Sequence, residues 1–223
     1  MSIDWNGNET YETHEPIGPG SPSGLPRFEA RRLFKERMKN RHARIEMLRR
    51  LVAAGGVVLG SDDAAVQDLN DWFAANIEAD PENPGFPSSE CYSVCHDMAL
   101  FLGEVMIERH PNLYWEFFTW GKKSVSFQRQ VLMGLSTEDP KFRTNIDIDG
   151  MVVGSAHEVL GSQGSIPTYG LVEIKGHLID IDSTARRPHR SGAHPRPRVP
   201  AKLLVVRRAV SARVRPPHGA GIL

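Results

Sequence analysis

The chain has 223 residues, 27 Lys/Arg against 27 Asp/Glu, and 40% hydrophobic residues. That length suits one domain with tails, and near-average hydrophobic and charged fractions exclude a fibrous or wholly disordered chain. No apolar run approaches the ~18 residues of a membrane helix, the start lacks a signal-peptide pattern, and two cysteines make no disulfide framework, so a reducing cytoplasm is the expected setting.

Residues 1–26 are rich in Gly, Pro, Ser and Glu without apolar periodicity, and read as a disordered acidic arm. After Pro26, the residues Phe34, Met38, Ile45, Leu48 and Val52 recur at helical spacing up to the stop at Gly55-Gly56, which predicts an amphipathic helix with its bases on the polar face. Ser61, followed by Asp62 and Asp63, reads as the N-cap of a second helix. Val66, Leu69, Trp72, Phe73 and Ile77 line that helix up to Asp80-Pro81. Ser88 or Ser89 caps a third helix running to Glu108, apolar over a wide arc and so expected at the centre. Gly103 on it costs about 1 kcal/mol against Ala unless a close neighbour needs the space.

Downstream, 113–120 and 125–133 flank Gly121-Lys122-Lys123 and read as a β-hairpin. Residues 148–160 form a short helix in this reading, and 171–174 with 177–181 form a second hairpin around Lys175-Gly176. The expected fold class is α+β: three N-terminal helices packed on a small antiparallel sheet of two hairpins, as one domain over 27–184. Residues 185–223 make a basic, Pro/Arg-rich tail. Three readings stay open for it: a disordered arm, the product of a shifted reading frame in GC-rich DNA, or a nucleic-acid-binding arm.

The zero net charge is a cancellation. Residues 27–50 hold ten bases and three acids, 51–119 hold twelve acids and one base, and 185–223 hold ten bases and no acid. The acidic block supplies a candidate surface for a protein partner. The basic helix and tail supply the competing one, non-specific and salt-sensitive nucleic-acid binding.

Cys91 and Cys95 lie four apart on one helical face, either as buried small hydrophobes or, for Cys95 near the helix N-terminus, as a nucleophile with a lowered pKa. No further ligand pattern supports zinc. Asp147 and Asp149 lie in a stretch similar to a calcium loop but without its closing Glu, so neither a metal nor another cofactor is expected. The string Cys95-His96-Asp97-Met98-Ala99-Leu100 resembles the cysteine-helix segment of transglutaminase-like and papain-like folds, and 169–184 resembles their paired strands. That resemblance implies amide chemistry at Cys95. Its usual base position falls on Tyr169, so His157 or His177 would have to serve as base, with Asp180 or Asp182 orienting it. A broader resemblance rests on Asp71-Trp72-Phe73, Ser93 to Glu104, Arg109-His110-Pro111, Trp115-Glu116, Gly121-Lys122-Lys123 and Gln130-Val131-Leu132-Met133. It is to a family of bacterial domains found beside polymorphic-toxin and immunity genes, and it implies a soluble α+β domain that binds a protein. The leading expectation is therefore an immunity-like, non-catalytic binding domain, with the cysteine enzyme as its alternative.

Overall fold

The structure, a computed structural model, describes residues 11–14, 22–135 and 144–161. Helix α1 (Arg27–Ala54) starts after Pro26, whose missing N–H costs nothing in a first turn, and closes at Gly55-Gly56. Helix α2 (Asp63–Asn76) is capped by Asp62, whose carboxylate accepts from the Ala65 N–H, rather than by Ser61. It ends four residues before Asp80 because Ile77 turns into extended backbone. The chain then makes a short excursion, pinned by an isolated bridge between Ala79 and Pro87 and by the Ser88 N–H donating to the Glu78 carbonyl. Ser88 also caps helix α3 (Ser89–Arg109), accepting from the Cys91 N–H at 3.2 Å.

Strands β1 (Tyr114–Phe117) and β2 (Gln130–Met133) pair antiparallel, with Trp115 opposite Leu132. The hairpin is shorter than its sequence pattern. Residues 121–129 fold back on themselves in successive tight turns, and Gln128 adopts φ +62°, which removes Val125 and Phe127 from the ladder. Nor does β2 alternate: all four of its residues are buried, as in a strand covered on both faces. A further bridge joins Leu132 to Ile146 and leads the chain into helix α4 (Ile148–Gly161). The second predicted hairpin, 171–181, and the tail lie outside the described residues.

Helix α3 is the central element. It packs on both α1 and α4, and α4 also meets β2. Its buried side chains Val94, Met98, Leu102 and Val105 join Leu48 and Val52 of α1, Leu69 and Phe73 of α2, Leu132 of β2, and Val152 and Ala156 of α4 in one core. The class is thus α+β, helices first and a small antiparallel sheet after. No helix among the described residues is long and apolar enough to cross a membrane.

Two expectations change. The bases of α1 do not all face solvent: Arg37, Arg41 and Arg44 share the stripe that carries Ala30, Leu48 and Leu51, because spacings of three, four and seven place them there. And part of the acidic arm is fixed to the body. The Gln128 side-chain amide donates to the Pro22 and Leu25 carbonyls, and the His14 N–H donates to Ser93 Oγ at 2.9 Å.

The neighbour that Gly103 makes room for is not another helix but the Trp115 indole of β1. A Cβ on Gly103 would stand 2.0 Å from Trp115 Cζ2. The indole N–H then reaches Glu104 Oε1 at 2.9 Å. Gly103→Ala should therefore destabilise the fold by about 2–3 kcal/mol, in spite of alanine's better helix propensity. The thermal midpoint should fall by several degrees, and a rise in that midpoint would contradict the packing described.

Candidate functional site

The chemistry-bearing side chains of the described residues gather where α1, α3, the start of α4 and the arm meet. Asp97 lies on α3 inside an otherwise apolar run and is fully buried. A buried carboxylate needs partners for both oxygens, and three side chains supply four contacts. Arg44 of α1 donates through Nε to Oδ1 at 2.9 Å and through a terminal nitrogen to Oδ2 at 2.6 Å, the two-pronged geometry of a strong pair. The Tyr11 hydroxyl donates to Oδ2 at 2.7 Å, and His14 Nε2 meets Oδ1 at 2.9 Å. Arg44 also reaches back to the Glu12 carbonyl and lies over the Tyr11 ring, 5.3 Å from its centroid.

A second carboxylate centre adjoins the first. Asp149, in the first turn of α4, bonds His96 Nδ1 through Oδ1 and Arg129 through Oδ2. Arg129 turns its Nε to Asp147 at 2.7 Å, and Asp147 also accepts from the Gly150 N–H at 2.9 Å. The two centres touch through their histidines, whose rings meet edge to face with centroids 5.8 Å apart. His14 and His96 thus each have one ring nitrogen on a buried aspartate, and each side chain is 21% exposed.

The electrostatics follow from burial and pairing. Burial pushes the His14 pKa below its ordinary value, against the pull of Asp97, so the ring is neutral near pH 7 with its Nε2–H given to the carboxylate. Burial alone would raise Asp149, but the charge and hydrogen bond of His96, with Arg129 and Arg37, reverse this and hold it well below the usual carboxylate range. Asp147 goes the other way: burial raises it, and Arg129 only partly offsets this. Burial also raises the Tyr11 hydroxyl, with Asp97 adding to the effect, so it stays a donor. Arg44 has burial working to lower its pKa and Asp97 overcoming it.

The residues proposed from sequence sit differently. Cys95 neighbours this cluster in the chain but faces the apolar core, fully buried. Burial first and Asp149 second push its thiol well up, the reverse of what a nucleophile needs. Among the described residues no hydrogen bond joins it to a histidine. His157 is held elsewhere, with Nε2 3.3 Å from the Tyr92 hydroxyl, Nδ1 3.0 Å from the Gly85 carbonyl and its ring against Phe86. His177, Asp180 and Asp182 lie outside the described residues. Cys91 is also buried and accepts from the Glu78 N–H. No group of three or more His, Cys, Asp or Glu suited to a metal occurs among the described residues.

Sequence reasoning missed the cluster itself. In the sequence Asp97 stands out only as part of the two resemblances, Asp147 and Asp149 only as an incomplete calcium loop, and Tyr11 and His14 only as arm. The available signals are an acid in the middle of the mostly apolar α3 and bases on the core stripe of α1.

Removing the Asp97 charge leaves Arg44, a nearly buried side chain, without its counter-ion. Asp97→Asn should cost about 3–5 kcal/mol in chemical denaturation, and the combined Asp97→Leu/Arg44→Met change should cost less than that single substitution. A cost below about 1 kcal/mol for Asp97→Asn would show that the pair does not hold the helices together. A pH effect comes from His14. Its folded pKa lies below the unfolded value, so the unfolded chain takes up the proton first, and stability is lost as pH falls below about 6.5. His14→Gln should lose less stability than the parent between about pH 7 and pH 5, measured as urea midpoints.

No family model matches this chain, and neither a curated protein nor a solved structure is significantly similar to it.

Proposed function

We propose that the chain is a non-catalytic, cytoplasmic protein-binding domain of the immunity-like kind, whose acidic helical surface recognises a basic partner. One observation carries this reading: α2 shows solvent a row of carboxylates that the molecule leaves largely uncompensated. Asp62, Asp63, Asp68 and Asp71 are all exposed. Asp63 meets Arg109 at 3.8 Å, while Asp68 and Asp71 meet no Lys or Arg among the described residues. The bases of α1 do not cancel them. Arg41 and Arg44 pair with Glu104 and Asp97 of α3, and Arg32, Arg49 and Arg50 pair with acids of their own helix.

Such a surface favours fast, salt-sensitive association with a complementary one. The burial and raised pKa of Cys95 give the transglutaminase-like or papain-like alternative less support. Nucleic-acid binding would instead use the exposed Arg27, Arg31, Lys35 and Lys39 of α1.

The experiment is to identify the partner by co-purification and then vary the two faces separately. Asp68→Lys with Asp71→Lys should weaken binding at least about tenfold, chiefly through the association rate. The Cys91→Ala/Cys95→Ala variant, once shown to be folded, should bind as the parent does. Unchanged affinity in the α2 variant, or loss of function confined to the cysteine variant, would overturn the reading.

A further inference from the structure

Four residues of the body hold the arm at 11–14, and each keeps a partner without it. The Tyr11 hydroxyl and His14 Nε2 share the carboxylate of Asp97, at 2.7 and 2.9 Å, but the Arg44 fork already reaches both oxygens, at 2.9 and 2.6 Å. Ser93 Oγ accepts from the His14 N–H at 2.9 Å and itself donates to the Ser89 carbonyl at 3.2 Å. Arg44 lends one terminal nitrogen to the Glu12 carbonyl and keeps Asp97 through Nε and the other. His96, whose ring meets His14 edge to face, has its own Asp149.

The apolar core is likewise built without the arm. Its buried members come from α1 to α4, β2 and the turns between them, and of residues 11–14 only Tyr11 packs against it, at the margin. Undocking the arm therefore strands no buried charge, and it can occur while the rest stays folded.

His14 makes that undocking depend on pH. Around it stand Asp97 and His96 of α3, Arg44 of α1 and Tyr11 of the arm, with Asp149 of α4 behind His96. Burial opposes a second proton on the ring, Asp97 favours one, and Arg44 and His96 oppose it again, so the docked ring resists protonation. A free arm takes up that proton around the ordinary value of 6.5. Docking is thus complete above that pH and weakens as pH falls below it.

We propose that residues 11–14 are an acid-released strap: docked across the seam of α1 and α3 at neutral pH, they leave it as one unit in mild acid and bare the Arg44–Asp97 pair and His96 while the body stays folded. Tyr11 and the His14 N–H supply the grip, and the His14 ring supplies the release. The strap is independent of partner binding at α2.

The test is amide hydrogen exchange on the full chain, labelled with nitrogen-15 and followed by NMR from about pH 7.5 to about pH 5. Protection of the His14 amide, corrected for the intrinsic exchange rate, should fall at least about threefold across that range, while the Met98 amide in the middle of α3 keeps its protection. The His14 ring nitrogens should titrate over the same interval. His14→Gln offers Asp97 an amide donor that does not titrate, so the backbone amide at that position should stay protected throughout. Tyr11→Phe removes one bond to Asp97 and should lower protection at every pH, with the pH dependence kept. If the Gln variant does not dock, the parent and the Tyr11→Phe chain still decide. A flat His14 profile, an equal pH dependence in a docked His14→Gln chain, or loss of His14 and Met98 protection together overturns the proposal.

Discussion

The fold depends on a carboxylate placed where apolar packing alone would put a leucine. Asp97 sits on the central helix with no exposed surface, and its two oxygens receive donors from α1 and from the arm. Hydrophobic contact among α1, α2, α3 and α4 supplies most of the driving force, but it is non-directional and tolerates sliding. The Arg44–Asp97 pair does not tolerate it. A shift of one residue along either helix would bury two unpaired charges. The pair therefore sets the register of α1 against α3, and its contribution is specificity of packing more than net stability.

The same carboxylate explains why a segment with no apolar periodicity is fixed at all. Tyr11 also packs against the core, but Tyr11 and His14 are fixed by hydrogen bonds to Asp97 and Ser93 and carry no apolar repeat of their own, so the pattern that finds helices and strands is silent about them. Composition correctly reads such a segment as unable to build a core of its own. It says nothing about whether another part of the molecule offers buried partners. The four helices and the hairpin, by contrast, were readable, because each carries a local signal: capping at Ser88, the glycine stop after Ala54, and the 3.6-residue spacing of Val94, Met98, Leu102 and Val105. Local signals also set the errors. Asp62 outcompeted Ser61 as a cap because its backbone is extended at the point where its carboxylate can reach Ala65, a detail fixed by geometry rather than residue type.

The candidate site was less legible than the fold because its members come from five separate places in the chain. His14, Arg37, Arg44, His96, Asp97, Arg129 and Asp149 meet only after α1, α3 and α4 have packed. What the sequence showed nearby was the pair Cys95-His96, adjacent in the chain but pointing to different surroundings. Helical geometry separates neighbours by about 100°, so Cys95 turns into the core while His96 turns to the polar seam, and adjacency in a motif is poor evidence of adjacency in space.

Charge segregation along the chain has a similar resolution. The basic and acidic blocks do meet, but chiefly through the inward-facing minority: Arg41 on Glu104 and Arg44 on Asp97. The outward-facing majority stays apart, so the described surface keeps an acidic face on α2 and a basic one on α1. Burial thus sorts the charges into two roles. Those with little water around them are matched between elements and fix the fold, while those in solvent pair at most within their own helix or loosely, as Asp63 does with Arg109, and leave a field that extends about a Debye length from the surface.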